Sequence, residues 1–228
     1  MSGSAVRGTP DHVIRRFTMA EGILAFTQNS IRIDTAAGRV YVDPFRMAEE
    51  PHDAAFVLVT HEHYDHFSPE DLAKVCKSDT VLVIPMSMLD KVREIEFLNA
   101  RIETVVPGEK YRIDGLSFET VPAYNIGKPF HPQGAEWVGY IVDANGKRVY
   151  VAGDTDATEE AKAVRCDIAL IPIGGKYTMD AEQAAELVNT IRPELAIPVH
   201  YGGMLGNGDA AKTFSELVDP SIPVEIMF

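Results

Sequence analysis

The stretch from Ala54 to Asp71 constrains this chain more than any other, because a short apolar run, Ala54-Ala-Phe-Val-Leu-Val-Thr60, empties directly into His61-x-His63-x-Asp65-His66. An apolar run of that length reads as a buried strand. Ser68-Pro69-Glu70-Asp71 then reads as a helix start, with Ser as N-cap, Pro at the first helical position and acids in the first turn. The cluster therefore sits on a strand-to-helix loop. In an extended segment residues two apart share a face, so His61, His63 and Asp65 are expected to point one way and His66 the other, giving two adjacent ligand sets. Three imidazoles and a carboxylate suit a borderline divalent ion such as zinc. Nitrogen and oxygen ligation with positions left for water marks a catalytic rather than a structural metal site. A solvated loop that happens to be rich in histidine accounts for one isolated His far better than for this spacing.

The rest of the chain must supply a scaffold and the remaining ligands. At 228 residues, 46% hydrophobic and 24% charged, it fits one α/β domain over 1–228, with residues 1–12 expected as a flexible N-terminus. That N-terminus is small and polar, without the apolar centre of a signal peptide. No later run approaches the ~18 residues that span a membrane, so a cytoplasmic location is expected. Cys76 and Cys166 are too few for a disulfide framework and read as small core hydrophobes. A net charge of −13 argues against a nucleic-acid partner, which needs clustered Lys and Arg. It leaves room for a small anionic substrate held at a metal, where bound cations offset the charge locally.

Runs Gly22–Asp34 and Gly38–Phe45 read as two strands of a hairpin, the second closed by Pro44 so that Asp43 stands at its carboxyl end. Further on come a short helix over Pro69–Cys76, a strand over Thr80–Pro85, a helix over Met86–Asn99, and strands near Tyr111–Ile113 and over Leu116–Asn125. Residues 126–136 read as a loop. Asn145-Gly146 marks a tight hairpin within Trp137–Gly153. Strand and helix then alternate: strand Val149–Ala152, helix Glu159–Val164, strand Asp167–Ile173, helix Asp180–Ile191 and strand Leu195–Val199. This pattern suggests two similar halves packed sheet to sheet with helices outside. Asp154 and His200 follow two of these strands, at the edge where ligands gather in α/β sheets.

Thr60-His61-Glu62-His63-Tyr64-Asp65-His66, followed by Gly153-Asp154 and a strand-end His200, resembles the ligand motifs of the metallo-β-lactamase superfamily. Its members are mostly hydrolases with one or two metals in a four-layer αβ/βα sandwich. Val121-Pro-Ala-Tyr-Asn125, Phe130-His-Pro132, Gly153-Asp-Thr-Asp156, Pro172-Ile-Gly-Gly-Lys-Tyr-Thr-Met179 and Ile197-Pro-Val-His-Tyr-Gly202 narrow the likeness. They resemble the group of Zn-dependent hydrolases that includes ascorbate-6-phosphate lactonase and the phospholipase D acting on N-acylphosphatidylethanolamines. The resemblance spans about residues 22 to 203.

The resemblance implies that His61 and His63 hold a first metal, that Asp65, His66 and His200 hold a second, and that Asp154 bridges them. Zinc is the expected ion, in one or two copies, with manganese, nickel or iron as alternatives. Asp65 can orient the metal-activated water or take its proton. Asp43 matches an orienting carboxylate beside the metals. Where the family places a further His, this chain has Asn125, so His131 is expected either to fold back as the missing ligand or to act as general acid. Gly174 and Gly175 are candidates for offering backbone N–H groups to an anion, and Tyr177 for lining the substrate site. The expected function is hydrolysis of a phosphodiester, lactone or related ester of a small molecule. The alternative is a catalytically weak regulatory or scaffold protein that retains the metal. Oligomeric state is left open.

Overall fold

The computed structural model describes residues 20–95, 100–202 and 209–228. The flexible segment expected at 1–12 lies outside them, as does the end of the helix expected over 86–99. Two six-stranded sheets share one plan, each with its strands side by side in chain order. The first contains β1 (Ile23–Ala25), β2 (Ile31–Thr35), β3 (Gly38–Val42), β4 (Ala54–Leu58), β5 (Val81–Pro85) and β6 (Arg101–Val105). It is antiparallel from β1 to β3 and parallel from β3 to β6. The second contains β7 (Lys110–Ile113), β8 (Leu116–Pro122), β9 (Val138–Ala144), β10 (Lys147–Val151), β11 (Ile168–Pro172) and β12 (Leu195–Val199). It is antiparallel as far as β10 and parallel beyond.

Parallel strands β5, β11 and β12 are buried on both faces, which is why they read as unbroken apolar runs. Their period of two splits each strand between two cores. Phe56 and Val83 face Tyr140 and Leu170 in the core between the sheets. Leu82 and Ile84 turn outward under α1 (Pro69–Val75) and α2 (Leu89–Arg93), which contribute Leu72, Val75 and Val92. Ala169 and Ile171 turn outward under α3 (Glu159–Lys162), α4 (Ala181–Ile191) and α5 (Ala210–Leu217). The result is the four-layer αβ/βα sandwich. α4 is held at its start by a capping box between Asp180 and Gln183. At the β9–β10 turn, Asn145 and Gly146 have φ of 58° and 86°, the pair of left-handed conformations that a type I′ turn demands.

Four features differ from the sequence reading. The run 22–34 is two strands, because Ser30 N–H turns back to the Thr27 carbonyl at 2.8 Å and Gln28 adopts φ 50°. Polar Gln28 and Asn29 at that break cannot continue a buried ladder, and they end up beside the metal motif. The helix at 86 opens as a 3-10 turn over Met86–Met88 before α2. β6 and α5 were not anticipated: β6 is an edge strand half covered with polar residues, and α5 follows a Gly-rich segment with no side-chain N-cap bond. Among the described residues no helix is long and apolar enough to cross a membrane.

α1 behaves as its sequence signals. Ser68 accepts from the Asp71 N–H, and Pro69 opens the helix. Asp71 also reaches out of its helix: its carboxylate accepts from the N–H groups of Arg46 and Met47, each at 2.9 Å, and from Lys74 Nζ at 2.9 Å. It thereby ties the loop after β3, which carries Asp43, to the helix after the histidine cluster. Burial pushes its carboxyl up, but the hydrogen bonds from Lys74, Ser68 and the two amides outweigh burial and hold it below the ordinary value of 3.8. Asp71→Asn is expected to lose about 1–3 kcal/mol of unfolding free energy at neutral pH, read by urea titration. Since the folded pKa is the depressed one, the advantage of the wild type is complete above about pH 4 and shrinks as pH falls through the folded value.

Candidate metal centre

Every chemical group singled out in the sequence arrives at the same edge of the sandwich. β3 ends at Asp43, β4 runs into His61, β8 into the loop with Asn125 and His131, β10 into Asp154 and β12 into His200. The parallel strands of both sheets point their carboxyl ends there, and the core between them leaves a seam in which side chains from the two halves meet.

The loop geometry differs from the extended reading. His66 N–H and Phe67 N–H both donate to the His63 carbonyl, at 3.0 and 2.8 Å, so the chain turns after His63 instead of continuing as a strand. The turn folds His66 back onto His61, with ring centroids 4.0 Å apart. Asp65 faces His200 rather than His61 and His63, its Oδ2 3.3 Å from His200 Nε2. Ligand atoms converge in three overlapping groups: His61, His63 and His131; His61, His66 and Asp154; Asp65, His66 and His200.

Neighbouring acceptors fix which nitrogen of each ring faces inward. Asp43, fully buried, accepts from His66 Nδ1 at 2.7 Å, Asn29 Nδ2 at 2.7 Å, Thr60 N at 2.8 Å and Thr60 Oγ1 at 2.6 Å. With its hydroxyl proton given to Asp43, Thr60 Oγ1 can only accept from His61 Nδ1, 3.0 Å away. Asn125 does the same for His131. Its Nδ2 donates to the Tyr177 carbonyl at 2.9 Å and its Oδ1 accepts the His131 backbone N–H at 3.1 Å, which settles the amide orientation. The Nδ1 of His131, 2.9 Å from that Oδ1, must then carry the hydrogen. Three rings thus turn their Nε2 atoms to the centre. In that tautomer the Nε2 of His131 is available as a donor, grouped with the ring nitrogens of His61 and His63. Asn125 stands behind that donor.

The contacts left in the centre are short approaches among ring nitrogens and a carboxylate. His61 Nε2 lies 3.0 Å from His63 Nδ1, and His66 Nε2 lies 3.1 Å from His200 Nε2. Asp154 stands between the groups, Oδ2 3.2 Å from His131 Nε2 and Oδ1 3.4 Å from both His66 and His200 Nε2. His131 Nε2 and Asp154 Oδ1 are buried without a hydrogen-bond partner among the described residues. Buried polar atoms without partners are what a bound cation satisfies, and the donor set of imidazole and carboxylate fits zinc-like ions.

The charges respond accordingly. Burial, reinforced by His66, holds His61 well below the ordinary imidazole value, and burial with His131 lowers His63. Burial works against a charge on His66 too, but Asp154 and Asp43 outweigh it and lift that ring to about 9. For Asp154, burial is outweighed by His200 and His66, leaving the carboxyl well below its usual range.

A cavity of about 580 Å³ opens onto the centre, lined on its outer side by Gln28, Tyr64, Phe130, Lys176 and Tyr177. Tyr177, a candidate in the sequence for lining a substrate site, borders this cavity. Gly174 and Gly175 do not line it: Gly175 N–H donates to the Met179 carbonyl at 2.9 Å, so the turn uses the group that an anion would need. Sequence reasoning missed Asn29 and Gln28, which looked like part of a strand, and Trp137, the single tryptophan. Its ring lies 4.9 Å from His61 and 5.0 Å from His63, walling the first group. Its position just before a strong hairpin, six residues after His131, was the available signal.

The Beta-lactamase superfamily domain matches residues 23–200. The UPF0173 metal-dependent hydrolase of Thermoplasma acidophilum is 32% identical over 173 residues, covering 71% of this chain and 75% of that protein. The corresponding Methanopyrus kandleri protein is 32% identical over 178 residues, covering 72% and 76%. A solved structure from Parabacteroides distasonis aligns over 90% of this chain and 91% of its own at TM-score 0.73 and 30% identity. Igni18, a metallo hydrolase from Ignicoccus hospitalis, shares the fold over 90% and 94% at TM-score 0.74 and 23% identity. With two matching half-sheets, a His-x-His-x-Asp-His turn at their shared edge and relatives of this length, the chain belongs to the metallo-β-lactamase superfamily.

Proposed function

We propose that the protein is a metal-dependent hydrolase that cleaves an ester, lactone or phosphodiester bond of a small molecule. The observation that carries this is the convergence of His61, His63 and His131 on one side of Asp154 and of Asp65, His66 and His200 on the other. Those two groups would hold two ions, zinc by donor type, with Asp154 between them. Bound there, divalent ions supply a Lewis acid and a water of lowered pKa.

This chain's own residues do the rest. Asp43, Thr60 and Asn125 keep the proton of their histidines on Nδ1, so each Nε2 stays available. Trp137 shields one flank from bulk water. The side chain of Asp65 is 13% exposed and borders the cavity, where it can orient the attacking water and accept its proton at a carboxylate oxygen. The UPF0173 relatives named metal-dependent hydrolases support the reaction class. The regulatory alternative drew on a missing first-site ligand, and the nearness of His131 to His61 and His63 supports the hydrolase reading over it.

The test is metal analysis of the purified protein together with hydrolysis of 4-nitrophenyl esters and bis(4-nitrophenyl) phosphate before and after chelation. Divalent metal near stoichiometry and activity that chelation removes and zinc restores are expected. Metal-free protein with undiminished activity would end the proposal.

A further inference from the structure

One cation borders the cavity without a counter-ion among the described residues. The chain holds 34 acidic against 21 basic residues, so lysines here find carboxylates easily. Every other lysine among the described residues has a carboxylate oxygen within 3.9 Å. Lys176 alone has none among them. Its Nζ lies over the ring of Tyr177, 4.9 Å from the centroid, an arrangement that holds the ammonium near an aromatic face and leaves its N–H groups open. Lys176 lines the cavity, whose other charged side chains, Asp65 and Asp154, belong to the candidate metal centre.

The surroundings of this lysine are apolar on the cavity side. Phe130 meets Tyr177 edge to face, with centroids 4.7 Å apart and planes at 78°. Phe130 immediately precedes His131, so the aromatic pair begins where the metal-facing donors end. The cavity's volume, about 580 Å³, suits a small organic molecule rather than a polymer. An unpaired ammonium, an aromatic wall and a metal-facing floor describe a ligand with three parts: an anionic end, an apolar body and a bond to be cleaved.

We propose that Lys176 seats a carboxylate or phosphate group of the substrate while Tyr177 and Phe130 take its apolar body, so that the bond hydrolysed belongs to a small anionic ester. This rests on the hydrolase reading above. In the reaction, water adds to the acyl carbon, the ester C–O bond breaks, and an acid and an alcohol leave. Lys176 moves no proton in it and acts on binding alone.

The experiment compares mono-4-nitrophenyl glutarate with neutral 4-nitrophenyl butyrate in metal-loaded wild type, Lys176→Met and Lys176→Arg. The expected wild-type preference for the anionic ester is about tenfold in kcat/KM, carried by KM. Lys176→Met should bring the ratio close to one, and Lys176→Arg should keep most of it. A ratio unchanged in Lys176→Met overturns the assignment. If neither ester is hydrolysed, the failure belongs to the reaction class, and calorimetry still decides about Lys176. Glutarate or 3-phosphonopropionate should then bind about tenfold more tightly to wild type than to Lys176→Met, with butyrate as the comparator, and the tighter of the two names the anion. Equal binding of both to the two proteins overturns the proposal.

Discussion

His131→Ala is expected to bind at most one equivalent of metal fewer than the wild type and to lose at least ~100-fold in activity, because it removes a donor and not merely a neighbour of one. His61 and His63 alone leave two nitrogens at the first position, 3.0 Å apart, with only the shared carboxylate of Asp154 from the second half of the chain beside them. Asp65, His66 and His200 keep their own mutual contacts and should hold their ion. Trp137 offers a readout independent of turnover. It is the only tryptophan and lies against His61, His63 and His131, so quenching of its fluorescence by Co(II) reports occupancy of the first group. His131→Ala should flatten that titration, and Asn125→Ala should shift it to about 10–100-fold higher metal, since it releases the ring without deleting the donor. Wild-type quenching and wild-type rates in His131→Ala would return the residue to an ordinary buried histidine.

Asp154→Ala is expected to cost more, removing bound metal from both groups and reducing hydrolysis to background. Its two oxygens lie within 3.4 Å of Nε2 atoms of His131, His66 and His200, so it is the carboxylate common to both groups. It is also the buried negative charge that offsets the imidazoles. Without it, Asp43 behind His66 and Asp65 beside it are the carboxylates left to offset a metal ion among the imidazoles. Metal analysis after dialysis gives the result directly. Retention of two equivalents by Asp154→Ala would contradict the shared role. Folding can be followed separately by urea titration, so that loss of metal is not confused with loss of structure.

The contrast between these two residues shows where the sequence was sufficient. Asp154 follows Val149–Ala152, a strand legible from its apolar run and the Asn145-Gly146 turn, so its delivery to the ligand edge follows from periodicity alone. His200 behind Leu195–Val199 and His61 behind Ala54–Leu58 are equally direct. His131 sits in a loop whose path local rules do not encode. Lys128 Nζ reaches Asp156 at 2.7 Å, Ile126 N–H reaches the same carboxylate at 2.8 Å, and Asn125 links the loop to Tyr177. Partners some 30 to 50 positions away hold that loop, and only the packed second half brings them into range.

The sequence by itself determined the two-sheet sandwich and the edge at which its chemistry collects, because strand periodicity, turn residues and strand-end polar groups are local properties. Only the tertiary structure decided that the His63–His66 segment turns rather than extends, and that Asn125 bonds the ring of His131 where it lies beside His61 and His63. It also decided that Lys176 stands at the cavity without a carboxylate among the described residues. Each of these depends on which groups lie a few ångströms apart across the seam between the sheets, and a hydrogen bond or ion pair of that kind is set by the packing of both halves at once.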